Sequence, residues 1–151
     1  MAGRGFEIVT AYEGCGIHLP VRKTAKSAGY DLEAAETTVL APHAVTVVPT
    51  GLKAFMEDDE YLSIFIRSSL AFKKGLMLAN STGIVDSDYY NNADNEGHIM
   101  AKLTNDSNEG KVLEIHPGEG FLQGIFMPYG ITEDDEADGV RNGGFGSTDR
   151  R

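Results

Sequence analysis

Short apolar stretches that end at turn residues constrain the fold of this chain more than any other feature. Tyr61–Ile66 and Phe121–Met127 are the strongest of them. Each has the length and the apolar content of a β-strand, and both are shorter than a typical helix. The chain shows no long stretch of helical periodicity and contains 18 glycines and 5 prolines. This pattern predicts an all-β domain of many short strands joined by tight turns.

Weaker signals extend the same pattern along the chain. Further strands or extended segments are expected at 6–10, 17–19, 37–40, 45–48, 52–56, 98–103 and 112–115. One short helix is predicted at Leu70–Lys74, with Ser69 as its cap and Gly75 as its end. The acidic run Glu57–Glu60 is expected to be a solvated hairpin loop. Gln123 is an amide in an apolar strand and is predicted to be buried, for packing or for a ligand.

Size and charge limit the classes of function. The 151 residues fit one domain, and 41% apolar content is enough for a hydrophobic core. A net charge of −10 argues against direct binding to nucleic-acid backbones. The single Cys15 excludes an intramolecular disulfide and favours a reducing, cytoplasmic setting. No signal peptide or membrane-spanning stretch is recognised, so no membrane association is expected.

The segment Asn80–Tyr89 carries the densest chemistry. It is interpreted as strand, turn and strand, with Gly83 at or near the turn. Asp86 would then lie beside a concave loop, where a carboxylate can take a proton from water. In a strand Asp88 would share a face with Asp86, and two close carboxylates either repel each other or share a cation. An Asp-rich turn that only caps a hairpin is the structural alternative.

The predicted helix begins where an anion could bind. Arg67, Ser68 and Ser69 bring a guanidinium, two hydroxyls and free backbone N–H groups to one place, which suits a phosphate. A simple helix cap with a surface arginine is the alternative. Asp31 follows Gly29 closely and is either a turn residue or a functional carboxylate.

The composition changes near the C-terminus. Residues 133–140 are acidic and poor in apolar side chains, and they are expected to form a linker after a domain at 1–132. Residues 141–151 contain several glycines, hydroxyl side chains, Arg141 and Phe145. They form either a frayed tail or a mobile arm that closes over a ligand, with Phe145 stacked on a planar base.

Five segments in order give these candidates a common explanation. They resemble the five sequence motifs of the homotrimeric dUTPases, and together they extend over nearly the whole domain. The segments are Ala28–Leu32, Arg67–Ala71, Gly83–Tyr89, Gly118–Gln123 and Gly143–Thr148. Five such matches in the family's order are highly specific.

The resemblance implies a fold and a reaction. The subunit would be a distorted β-barrel or jelly-roll, and three subunits would share active sites at their interfaces. The enzyme would use Mg²⁺ to hydrolyse dUTP to dUMP and pyrophosphate by attack of water on the α-phosphorus. This reaction supplies dUMP for thymidylate synthesis and keeps uracil out of DNA. Triphosphate is strongly anionic and this protein is acidic, so the metal and local cations would be needed to bind it.

The resemblance also implies a role for each candidate residue. Asp86 would be the general base, Tyr89 would pack on the deoxyribose and exclude a 2′-hydroxyl, and Asp31 would hold water ligands of Mg²⁺. The uracil edge would contact Asn80 and the neighbouring backbone, including Gly83. The other substrate-binding candidates are Arg67, Ser68, Ser69 and Gln123 on the phosphates, and Arg141, Phe145, Gly146, Ser147 and Thr148 in an arm that closes a neighbouring subunit's site.

Departures from the family pattern leave other interpretations open. Gly120 stands where the fourth motif commonly has an arginine, Ser69 stands where glycine is common, and Asp149 replaces a usual glycine. dCTP deaminases share the fold but usually carry a tryptophan-containing segment, and this chain has no tryptophan. A non-enzymatic, dUTP-binding interaction module is the other alternative, with the polar loop 90–96 as its partner surface.

Overall fold

A computed structural model describes residues 3–145 of the chain. Within these residues it contains eleven β-strands, one α-helix and two short 3-10 helices. The strands are β1 Gly5–Ile8, β2 Tyr30–Glu33, β3 Thr38–Leu40, β4 Val45–Pro49, β5 Leu52–Phe55, β6 Glu60–Ile66, β7 Leu76–Leu78, β8 Gly83–Asp86, β9 Met100–Asn105, β10 Leu113–Ile115 and β11 Gly120–Pro128. The helix, α1, is Ser68–Lys74.

The strands form four antiparallel groups. The largest sheet has the order β2-β11-β6-β8, and a three-stranded sheet has the order β4-β9-β7. Two further pairs, β1-β5 and β10-β3, complete the domain. Most neighbours are distant in sequence, which is typical of jelly-roll topologies. The predicted all-β fold with one short helix is therefore confirmed.

The core explains why these segments become strands. Side chains of β7 and β9 alternate between buried and exposed positions, which is the period of a half-buried strand. Strands of all four groups contribute to one apolar cluster. Its largest fully buried members are Leu32, Leu40, Val48, Leu52, Leu62, Leu76, Leu103, Ile115, Phe121 and Leu122. Burial of each such side chain stabilises the fold by roughly 1.5–3 kcal/mol.

The helix begins and ends at nearly the predicted positions. Gly75 ends it in the left-handed conformation, at φ 64°. A Cβ at this glycine would come within 2.7 Å of the Ser107 backbone, so both the angle and the space require glycine. The N-cap is Arg67, not the predicted Ser69, and no side-chain hydrogen bond caps this end.

The structure corrects the predicted strand, turn and strand at Asn80–Tyr89, the segment that starts at the end of the apolar run 76–78. β7 pairs with β9, whereas β8 pairs with β6, so the two strands belong to different sheets. Gly83 is the first residue of β8 and lies after the turn. Residues 79–82 thus cross from one sheet to the other. The local pattern of two apolar runs around a turn cannot distinguish a hairpin from such a crossing.

Other differences have simple physical reasons. Residues 17–19, which were expected to be extended, form no strand. β2 was not predicted, and it is a strand that pairs with β11. The acidic run Glu57–Glu60 does not close a hairpin, because β5 pairs with β1 whereas β6 pairs with β8 and β11. Glu60 is buried at the start of β6, where Arg4 Nε lies 2.9 Å from its carboxylate, whereas Asp58 and Asp59 are exposed. Gln123 is exposed, because its position in β11 points away from the core.

Candidate active site

A cavity of about 580 Å³ opens between the two larger sheets. Its walls come from β8, from β7 and the turn after it, and from the start of β9. Four predicted substrate-site residues line it: Asn80, Gly83, Asp86 and Tyr89. Two residues of the C-terminal segment, Arg141 and Phe145, complete its rim. The fold therefore brings these six candidates together in one concave site, the usual form of a small-molecule site.

The end of β8 places the carboxylate and the tyrosine at different depths. Asp86 is the last residue of β8, opposite Tyr61 of β6. The 3-10 helix Ser87–Tyr89 then turns the chain inward. As a result Tyr89 is only 8% exposed, whereas the Asp86 side chain is 52% exposed. The ring forms an inner wall, and the carboxylate stays at the mouth, where water reaches it.

Asp86 and Asp88 share a cation. Arg141 donates from Nη2 to Asp86 Oδ2 and from Nε to Asp88 Oδ1, both at 2.6 Å. The Arg141 side chain is 15% exposed, so its charge is largely covered by the cavity rim. Hydrogen bonds between ionised groups are the strong ones, and such a double contact also fixes orientation. Of the two expected outcomes for neighbouring carboxylates, the structure has the shared cation.

The Tyr89 hydroxyl is held from two sides. It donates to the His98 carbonyl oxygen at 2.7 Å and accepts from Asn95 Nδ2 at 2.9 Å. Burial raises the pKa of the Tyr89 phenol, so the hydroxyl stays protonated at neutral pH. The ring is thus a rigid, neutral surface.

The loop 90–97 follows Tyr89 directly and is tied to the body of the domain. Lys53 Nζ donates to Asn91 Oδ1 at 2.6 Å and to Glu96 Oε2 at 2.7 Å. Glu96 also accepts from the Thr10 backbone N–H at 3.1 Å. The pKa of Glu96 is lowered, chiefly by its hydrogen bond from Lys53. These bonds hold the loop beside the cavity.

The C-terminal segment lies on this loop and on Tyr89. The Asp94 N–H donates to the Asn142 carbonyl at 3.1 Å. A Cβ at Gly143 would come within 2.9 Å of the Asp94 side chain, and one at Gly144 within 2.7 Å of the Tyr89 ring. Phe145 is 76% exposed above the cavity. Of the other candidates, Gly146, Ser147, Thr148 and Asp149 lie outside the described residues.

The remaining candidates form a second group at the other end of β6. Arg67 directly follows β6, whereas Asp86 pairs near its start, so roughly 20 Å of strand separates them. Gln123 of β11 lies opposite Asp31 of β2 and Phe65 of β6. Ser68 and Ser69 begin α1 beside Arg67. The fold of the single chain therefore does not bring this group to its own Asp86.

The Arg67 side chain packs against Gly120. Arg67 Nη1 donates to the Gly120 carbonyl at 3.0 Å and lies 3.0 Å from where a Cβ at Gly120 would be. The missing side chain at position 120 leaves room for this guanidinium. The family pattern commonly has an arginine at position 120. In this chain the guanidinium of Arg67, which follows β6, lies beside that position.

Asp31 has the features of a metal-facing carboxylate. It is 8% exposed, and its Oδ2 has no hydrogen-bond partner in the described part of the chain. Lys23 Nζ lies 3.7 Å away. Residues 3–145 hold no cluster of three or more His, Cys, Asp or Glu that could bind a metal. A single carboxylate suits Mg²⁺, which keeps several waters and is completed by substrate phosphates.

Sequence reasoning missed the residues that support the site. Asn92, Asn95 and Lys53 organise the loop, but isolated polar residues in a sequence do not show what they contact. The one available signal was the run of amides and acids after Tyr89, which predicted a loop and not its connections.

Among residues 3–145 no helix is long and apolar enough to cross a membrane.

The fold and the cavity define a β-barrel protein with a preformed small-molecule site edged by carboxylates. The chain belongs to the dUTPase family, whose family model matches residues 16–149. It is 51% identical to the deoxyuridine 5'-triphosphate nucleotidohydrolase of Lactococcus lactis subsp. lactis, over 96% of this chain and 97% of that one. The corresponding protein of Erwinia tasmaniensis is 35% identical, with 96% and 95% of the two chains covered.

Solved structures agree with this assignment. The crystal structure of dUTPase from Streptococcus mutans superposes with a TM-score of 0.80 at 46% identity, covering 85% of this chain and 98% of that one. The dUTPase of Staphylococcus bacteriophage 80alpha has a TM-score of 0.70 at 20% identity, covering 91% of this chain and 97% of that one. The phage protein shares the fold, and the S. mutans enzyme shares both fold and sequence.

Proposed function

We propose that the protein hydrolyses dUTP to dUMP and pyrophosphate. A nucleotidohydrolase of this kind would act in the cytoplasm, supply dUMP for thymidylate synthesis and keep uracil out of DNA. The observation that carries the proposal is the cavity itself. It holds a solvent-reached carboxylate, Asp86, above a rigid aromatic wall, Tyr89, and its size suits a nucleoside.

Selection of base and sugar follows from the inner part of the cavity. The uracil edge would pair with Asn80 and with the backbone near Gly83, which both line the cavity. A different base would leave buried donors or acceptors unpaired, and such mismatches discriminate strongly. Tyr89 would lie against the deoxyribose, where its fixed ring leaves no room for a 2′-hydroxyl.

Asp86 is proposed as the general base. It would accept a proton from a water molecule while the water oxygen bonds to the α-phosphorus, and the bridging oxygen would leave with pyrophosphate. Arg141 Nη2 donates to Asp86 Oδ2 at 2.6 Å. Phosphate oxygens would compete for the same guanidinium, which would free Asp86 and place Arg141 on the substrate. Phe145, Gly146, Ser147 and Thr148 would then complete the closed arm.

Mg²⁺ is proposed to bind with the substrate on the Asp31 side of the site. When bound, the ion would neutralise phosphate charge and help to orient the phosphates. Asp31 would hold its water ligands through the buried Oδ2, which accepts no hydrogen bond among the described residues and lies 3.7 Å from Lys23 Nζ. Gln123 lies on the neighbouring strand. Arg67, Ser68 and Ser69 would add phosphate contacts.

Assembly as a homotrimer would unite the two groups of residues. Because β6 separates Arg67 from Asp86 within one subunit, a complete site needs both groups from two different chains. The first group is the set of candidates at the cavity: Asn80, Gly83, Asp86, Tyr89, Arg141 and Phe145. The second group is the set near the end of β6: Asp31, Arg67, Ser68, Ser69 and Gln123. Residues 1–132 would form the domain, residues 133–140 a linker and residues 141–151 an arm. Exposure of every residue from 131 to 140 supports the linker.

The first test is pyrophosphate release from dUTP, dCTP, dTTP and UTP, each with Mg²⁺ and with EDTA. We expect metal-dependent release from dUTP alone. Ammonia release from dCTP would instead place the chain with the deaminases. Binding of dUTP without turnover would favour the interaction module. That alternative has less support, because the polar groups of loop 90–97 are bonded to Lys53, Thr10 and Tyr89.

Mixing of inactive variants tests the shared site. Asp86→Asn removes the proposed base at the cavity. Arg67→Ala removes the cation at the end of β6, which the other chain would supply. If sites lie between subunits, co-refolded mixtures will contain some sites with both residues intact and will regain activity. Co-refolding Asp86→Asn with an Asp86→Asn, Arg67→Ala double variant is the control and should stay inactive. Equal inactivity of both mixtures would contradict the shared site.

A further inference from the structure

The amide of Asn95 connects loop 90–97 to the cavity wall. Its Nδ2 donates to the Tyr89 hydroxyl at 2.9 Å. Its Oδ1 accepts from Asn92 Nδ2 at 2.8 Å and from the Gly97 N–H at 3.0 Å. Each end of the amide therefore has a different task. The oxygen closes the loop, and the nitrogen reaches the ring that lines the cavity.

Asn92 makes this arrangement rigid. It is 8% exposed and donates to the Tyr89 carbonyl at 2.7 Å. Its Oδ1 accepts from the backbone N–H groups of Asp94 and Asn95, at 3.0 and 3.1 Å. Lys53 and Thr10 bind the same loop to the domain body. The Asn95 nitrogen is thus presented to Tyr89 by a loop that has little freedom to move.

We propose that Asn95 is a positioning residue that sets how strictly the site separates deoxyribose from ribose. The inference rests on the proposed function, since it concerns the sugar of the bound nucleotide. A ring excludes a 2′-hydroxyl only if it cannot withdraw. The His98 carbonyl holds the Tyr89 hydroxyl from one side, and Asn95 holds it from the other. Two bonds from separate elements fix the ring tip, whereas one bond leaves it free to swing.

The most informative variant is Asn95→Asp. A carboxylate keeps the acceptor for Asn92 Nδ2 and the Gly97 N–H, so the loop can still close. It loses the donor to Tyr89 and attracts the hydroxyl hydrogen away from the His98 carbonyl. We expect the ratio of kcat/KM for dUTP to kcat/KM for UTP to fall about tenfold, the effect of one lost orienting hydrogen bond. Asn95→Ala should lower the ratio by a similar factor.

Thr10→Ala is the matched control. Thr10 Oγ1 donates to Glu96 Oε2 at 3.1 Å, so this variant loosens the same loop without touching Tyr89. If Asn95 served only loop stability, Thr10→Ala would change the dUTP-to-UTP ratio too. We expect an unchanged ratio for Thr10→Ala, and a changed one would overturn the proposal.

Tyr89→Phe completes a double-mutant cycle. It removes the hydroxyl that Asn95 contacts and keeps the ring. If Asn95 acts through this hydroxyl, adding Asn95→Asp to Tyr89→Phe will lower the ratio no further. Independent, multiplying effects would overturn the proposal. Should Asn95→Asp fail to fold, Tyr89→Phe alone decides, because an unchanged ratio there would show that the two bonds are irrelevant to selectivity.

The two levels of the hypothesis fail differently. Absence of dUTP turnover by the unaltered protein would remove the proposed function. Selective turnover by the unaltered protein with equal selectivity in Asn95→Asp would remove only the role of Asn95.

Discussion

Replacing Asp86 by asparagine separates the base from the ion pair in which it takes part. The substitution keeps the size of the side chain and removes its charge. If Asp86 accepts the proton of the attacking water, kcat for dUTP should fall by about 10²–10⁴, the usual contribution of a general base. This corresponds to about 3–5 kcal/mol of activation free energy.

The same substitution also removes one of the two ion pairs that Arg141 forms. Arg141 contacts Asp86 and Asp88 at equal distances of 2.6 Å, and the two carboxylates are similarly exposed, at 52% and 57%. Ion pairs at such exposure contribute about 0.2–1 kcal/mol. The loss of one pair should therefore change the Kd for dUTP by no more than about fivefold.

Asp88→Asn is the matched control. It removes an equivalent ion pair to Arg141 but leaves the Asp86 side chain unchanged. Stopped-flow measurement of proton release with dUTP and Mg²⁺ gives kcat, and calorimetry with a non-hydrolysable analogue gives Kd. We expect Asp88→Asn to retain kcat within a few-fold. Equal losses of kcat in both variants would refute the base assignment and would show that both carboxylates act only through Arg141.

Three further predictions concern the metal, the arm and pH. Asp31→Asn should raise the Mg²⁺ concentration needed for half-maximal turnover, because it removes the buried Oδ2 charge; an unchanged Mg²⁺ titration would contradict this. Deletion of residues 140–151 should leave a folded trimer by size-exclusion chromatography with much reduced turnover, and intact kinetics would exclude a role for the arm. Burial lowers the pKa of His98, whose Nε2 accepts from the Gly51 N–H at 2.9 Å. Because the pKa of His98 is lower in the folded protein than in the unfolded chain, neutral His98 stabilises the fold relative to protonated His98. This stabilisation is complete above the unfolded-state pKa of about 6.5 and is lost as pH falls through the folded-state pKa. Urea unfolding should show stability decreasing below about pH 6.5, and His98→Asn should flatten that decrease; an equal slope would contradict the assignment.

Strands with strong apolar runs were predictable from sequence, whereas their pairing was not. Tyr61–Ile66 and Phe121–Met127 are close to β6 and β11, because runs of that composition form strands in almost any context. The partnership of β8 with β6 depends on contacts between distant segments. The local pattern therefore suggested a hairpin of β7 and β8 that does not exist. β2 was missed for the same reason, since its neighbour β11 stabilises it.

In the candidate site, too, some residues were predictable from the sequence, whereas the contacts between distant segments were not. The sequence indicated Asp86 and Tyr89, because the segment Gly83–Tyr89 resembles one of the five dUTPase motifs. It did not indicate that Arg141 would bridge Asp86 and Asp88, because that contact joins segments far apart in the chain. The role of Asn95 depends on a single hydrogen-bond direction, which composition and spacing do not encode.

The bare backbone of Gly143 and Gly144 on Asp94 and Tyr89 has a consequence for temperature. Neither position tolerates a side chain, so an arm that closes here would use the residue type that loses the most conformational entropy when it is ordered. Ordering one residue costs about 1–2 kcal/mol at 25 °C, and this entropic cost grows on heating. We therefore expect KM for dUTP to rise with temperature and Gly144→Ala to bind dUTP poorly at every temperature. We expect an arm built in this way to reopen after each turnover by thermal motion.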